Sequence, residues 1–260
     1  MKELLGFLDG VPKYYKEGRW AYEAHFGVLL IGIWIAFYYR DAVTSYNEGH
    51  ELSTASHAWS FEGIEYVYFG IGLYFGLFIL GAIYLIGPWP LVSYTITSWN
   101  VLTARLLAVS LSHWHPPLRS VARVLKFPAV LMSTVTCSVW WCVLVPVIYS
   151  LLPGQKARGD FMKFNFSPFL LHIHGVNLPV AMMDFVAHGI KLTFFDLYCG
   201  VVISYIYMLF YLNVLDPAGV QIYIVFTPRT RWSIAIYGSI FVMHLLLWQS
   251  GNRLIDAVHA

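Results

Sequence analysis

Charge is what this sequence has least of. Asp, Glu, Lys and Arg together make up 12% of 260 residues, about half the share carried by soluble domains. That scarcity excludes an ordinary water-soluble core-and-shell domain. The net charge of +2 is scattered and no basic tract exists to neutralise a run of phosphates, so nucleic acid is excluded as a partner. Cysteine is scarce too. Cys137, Cys142 and Cys199 show neither CxxC spacing nor the even count of a disulfide framework, and free cysteine packs as a small hydrophobe. The opening MKELLGFLDGVPKYYKEGRW lacks the apolar core of a cleavable signal and the Arg/Ser-rich, acid-poor character of a transit peptide. Insertion into a membrane is therefore expected to be directed by the membrane helices themselves.

What fills the chain instead is apolar. Hydrophobic residues reach 58% and the mean hydropathy is +0.63, the composition of an integral, multi-pass membrane protein. Crossing the hydrocarbon takes about 20 apolar helical residues. The segments Ala21–Tyr39, Ile64–Ile86, Phe127–Leu152, Leu197–Leu215 and Trp232–Gln249 meet that length, and Phe166–His188 makes a sixth that is polar for a span. Breakers mark the connections: GPWP, HPP, LLPG and LDPAG. The fold class that follows is all-α, a polytopic transmembrane helix bundle of six spans forming a single domain over residues 1–260.

A seventh span is possible at 91–112, LVSYTITSWNVLTARLLAVSLS. Because Arg105 at its centre is costly in lipid, this segment is expected to lie in the interface. With six spans, ten Lys and Arg residues fall on the side of both termini against six on the other, so both termini are expected on the positive, cytoplasmic or matrix, side. The organelle stays open between endomembrane and mitochondrial inner membrane.

The sixth span carries the polar residues. In LLHIHGVNLPVAMMDFVAHG, at 100° per residue, His174, Asn177, Ala181, Asp184 and His188 share an arc of about 80° and extend about 21 Å along the axis. Lipid penalises such groups, so the stripe is expected to face the protein or a wet cavity. Two uses fit. A hydrogen-bonded seam could fix this helix to its neighbours, or His174 could serve as a base, oriented by Asn177 one turn away, since Asp184 is about 15 Å distant along the helix. The pairs His172/His174 and His113/His115 do not make a ready chelate. A haem bridging His174 or His188 to His244 is the remaining metal possibility, and no cofactor is otherwise implied.

The stretch His174–Gly–Val–Asn177–Leu–Pro179, followed by Asp184, resembles the FAR-17a/AIG1-like and rolling stone family of multi-pass membrane proteins. Ala58–Trp59–Ser60–Phe61, the run Trp140–Trp141–Cys142–Val143–Leu144–Val145–Pro146 and Tyr205–Ile206–Tyr207 extend the resemblance over roughly residues 20–250. It implies an intramembrane hydrolase of fatty acid esters with a threonine nucleophile and a histidine. His174 matches the histidine. The threonine lies four residues after the tryptophan that begins the second span, and counting from Trp59 that position is Gly63, which cannot be a nucleophile.

The expectation that results is a retained scaffold, non-catalytic, binding lipid or serving as an accessory subunit among other membrane proteins. Its cavity or seam would be lined by Asn177, Asp184, His188, Trp59 and Gly63. An ester hydrolase using His174, and a proton or small-solute conductor along His174, Asp184 and His188, are the alternatives.

Overall fold

The computed structural model describes residues 17–53, 63–220, 223 and 226–259. Trp59, with its neighbours Ser60 and Glu62, lies outside them. All regular structure among the described residues is helical. In chain order the helices are α1 (Tyr22–Phe37), α2 (Tyr39–Ser53), α3 (Ile64–Ile86), α4 (Tyr94–Leu111), α5 (Leu118–Leu151), α6 (Gly154–Asn165), α7 (Pro168–His188), α8 (Phe194–Leu215) and α9 (Ser233–His259). Five are long and apolar enough to cross a membrane: α3, α5, α7, α8 and α9. A sixth span forms if α1 and the first part of α2, bent by 44° at Tyr38, count together.

The segment expected in the interface is placed differently. Helix α4 is packed between α3 and α5, with Ile96, Trp99, Leu102 and Leu106 all nearly inaccessible. It runs antiparallel to α3: a Cβ on Gly72 would meet Leu107, one on Gly76 would meet Thr103, and Phe75 and Phe78 stack on Trp99 at 4.1 and 5.0 Å. Its 18 residues cover about 27 Å of rise, close to the thickness of a bilayer core. Arg105 argued against a crossing only if it faced lipid. It faces Asp184 instead, so the objection is removed by pairing.

Contacts at the helix ends sort into two faces. On one, the Ala21 amide donates to Pro228 O, the Tyr94 amide to the Tyr223 hydroxyl, and the Tyr207 hydroxyl to Val92 O. On the other, the Phe195 amide donates to Ser45 Oγ, the Leu192 amide to Asn252 Oδ1, Arg123 lies over the Tyr46 ring, and Tyr66 meets Trp114. Seven traverses of one slab satisfy every one of these pairs. The start of α1 and the end of α9 therefore sit on opposite faces, which replaces the expectation of both on one side. The short α6 lies on the first face, with Phe161 and Asn165 buried beneath it.

Three of the long helices are locally widened into π turns, at Val139–Leu144, His172–Val176 and Tyr211–Leu215. Each is followed within three residues by a proline: Pro146, Pro179 and Pro217. Proline has no N–H and its ring crowds the carbonyl one turn back. The ladder upstream shifts register, which is the usual origin of such bulges.

Candidate functional site

The stripe on α7 faces the protein, as the cost of polar groups in lipid requires. His174 is 4% exposed, and Asn177, Ala181 and Asp184 are fully buried. The structure splits the stripe into two separate constellations.

The first is ionic. Arg105 of α4 donates through Nε to Asp184 Oδ2 at 3.0 Å and through Nη2 to Oδ1 at 3.3 Å. Its Nη1 donates to Ala122 O. His188 Nδ1 lies 3.2 Å from Asp184 Oδ1 and 2.8 Å from the Asp184 carbonyl, and the Tyr68 hydroxyl reaches the same nitrogen at 3.5 Å. One turn toward the end of the bundle, the Lys126 ammonium donates to Ile190 O. This cluster ties α3, α4, α5 and α7 together. A charge pair of this kind holds when its geometry is good and both partners are satisfied, as they are here.

The second constellation surrounds His174. Asn177 does not orient it: Asn177 Oδ1 accepts from the Leu178 amide at 2.9 Å and from Cys137 Sγ at 3.6 Å. Taking the Leu178 amide leaves the His174 carbonyl free within its π turn. That carbonyl accepts instead from Trp141 Nε1 at 3.1 Å and Cys137 Sγ at 2.8 Å, while Trp99 Nε1 donates to the carbonyl of Ile173. The three donors fix the backbone. The imidazole then lies flat on Trp140, centroids 3.9 Å apart and planes 3° from parallel.

His174 and Trp140 form one wall of a partly open cavity of about 110 Å³ lined by α1, α4, α5, α7, α8, α9 and the 216–232 connection. The volume exceeds by several-fold what one water needs. All three π turns contribute to it, through Trp140 and Leu144, His174, and Tyr211 and Leu212. The lining is overwhelmingly apolar and aromatic. Three of the lining side chains carry a buried polar atom with no protein partner: His174 Nδ1, Trp140 Nε1 and Thr136 Oγ1. Their side chains belong to residues that are 4–5% exposed.

Across the cavity stands a satisfied polar pair. His244 of α9 has Nδ1 at 2.7 Å from the carbonyl of Ile240 and Nε2 at 3.0 Å from Ser204 Oγ of α8. A carbonyl can only accept, so Nδ1 carries the hydrogen. Nε2 of the neutral ring then presents its lone pair to the serine hydroxyl. With both nitrogens engaged, His244 is not available to a haem, and among the described residues no group of three or more His, Cys, Asp or Glu converges.

Gly63 sits apart from this cavity. It is the residue before α3, in a left-handed conformation with φ of 92°. Tyr68, a turn further on, meets His188, which lies about 20 Å along α7 from His174. Asp184 and His188 do not line the cavity either. Of the polar stripe on α7, only His174 faces it, joined by His244 and Trp140. Ser204, Thr136 and Tyr94 carried no signal, because a hydroxyl in an apolar helix is read by default as bonding its own backbone. No protein-family model, curated protein or solved structure matches this chain.

Proposed function

We propose that this chain is a multi-pass membrane protein that binds a lipid inside its helix bundle, drawing an apolar chain and one attached polar group into the cavity beside His174. The observation that carries the reading is that three side chains lining an otherwise apolar cavity, His174, Trp140 and Thr136, each carry a buried polar atom without a protein partner. Each unmet group costs about 1–3 kcal/mol, so a hydrocarbon alone would leave that cost standing. A lipid carbonyl, hydroxyl or ether oxygen would accept from Trp140 Nε1 and Thr136 Oγ1 while its chain covers the aromatic walls. The three π turns, features enriched at functional sites, supply those walls.

Native mass spectrometry of the protein released from its own membrane by mild detergent tests this directly. A retained lipid of defined mass is expected, reduced in occupancy by Trp140→Phe. The same spectra report any membrane subunit that accompanies the chain, which is where the expectation of an accessory role is decided. A protein carrying no lipid after the mildest release would end the proposal.

A further inference from the structure

We infer that Ser204 and His244 form a nucleophile–base pair that acts on an activated acyl group, a carboxylic ester or thioester of an apolar chain, held in this cavity. The inference rests on the lipid-binding reading and adds a reaction to it.

Three observations converge. Several serines and threonines in the spans turn back to their own helix, as Thr134 does to Val130 O, Ser239 to Ile236 O and Ser250 to Leu246 O, and Ser98 meets another serine, Ser133. Ser204 instead reaches across to another helix and meets His244 Nε2. Ile240 O fixes the tautomer of His244, the part that a third group plays wherever a histidine activates a hydroxyl. Finally, Trp140 and Thr136, side chains that line the same small cavity, each carry a buried donor with no protein partner, and an acyl carbonyl oxygen needs such donors as it becomes an oxyanion.

The steps balance within these groups and water. Ser204 Oγ bonds to the carbonyl carbon as its proton passes to His244 Nε2, and the carbonyl oxygen takes the negative charge. The bond to the alcohol or thiol then breaks, and that group leaves with the proton from Nε2. Water attacks the resulting acyl-serine, gives its proton to Nε2, and the serine recovers it as the free acid departs. The positions match neither His174 nor Gly63, so this site does not depend on the family resemblance.

The test is covalent labelling of the full chain in nanodiscs with a long-chain alkyl fluorophosphonate, followed by peptide mapping. An adduct on Ser204 is expected, absent in Ser204→Ala of unchanged melting midpoint and slowed about 100-fold or more in His244→Gln. Thr136→Val should slow it as well. Wild-type protein that retains its lipid but forms no adduct, or forms one on another residue, overturns the catalytic pair and leaves lipid binding standing. An adduct on Ser204 in protein that carries no lipid supports the pair and removes the resident-lipid reading.

Discussion

Asp184→Asn is the most informative single change in the bundle. Arg105 is 3% exposed and its guanidinium is held by Asp184 on two nitrogens and by Ala122 O on the third. An amide keeps the shape of the carboxylate and can still accept one bond, but the arginine charge is left uncompensated inside the protein. Removing one partner of a buried pair costs about 3–5 kcal/mol, against about 0–1 kcal/mol for an exposed pair. His188, which leans on the same carboxylate, keeps the Asp184 carbonyl as its partner and does not offset this cost. Replacing both residues by apolar ones of similar size, Arg105→Met with Asp184→Leu, removes the charge along with its compensation, and such swaps are commonly neutral or stabilising. Unfolding in mixed micelles, followed by tryptophan fluorescence, gives the free energy of each variant, and the cycle isolates the coupling. The reasoning fails if Asp184→Asn costs less than about 1 kcal/mol, or if the double variant loses the sum of the two single losses.

Thr136→Val should stabilise the delipidated protein by about 1–3 kcal/mol, because it removes an unmet hydroxyl, while lowering lipid occupancy in the native spectrum; destabilisation without loss of lipid would contradict the assignment. Gly200→Ala places a Cβ 2.9 Å from Leu131 Cδ2 and Phe127 Cδ1, where α8 meets α5, and is expected to cost about 1–3 kcal/mol in the same unfolding assay. Cysteines introduced at Pro88 and His113, in the connections before and after α4, should react with an impermeant maleimide from opposite sides of a sealed vesicle; reaction from one side only would return α4 to the interface. Asp216→Ala leaves Arg229 and Trp20 without the carboxylate they share, and faster proteolysis within the 216–232 connection is the expected readout.

The apolar composition alone determined that the chain is a helical membrane protein, since backbone groups in hydrocarbon must be satisfied within the segment. Helical periodicity was equally sufficient to turn His174, Asn177 and Asp184 inward, because the penalty for facing lipid depends only on which side of one helix they share. Partners were beyond the sequence. Arg105 counted against a crossing until the fold brought it to Asp184, 79 residues away, and a buried charge is costly or harmless according to that neighbour. Likewise Ser204 and His244 lie 40 residues apart on separate helices, and neither differs in sequence from a serine or histidine that merely packs. Whether a hydroxyl bonds its own turn or another helix is set by side-chain direction and helix packing, and that is a property of the assembled bundle.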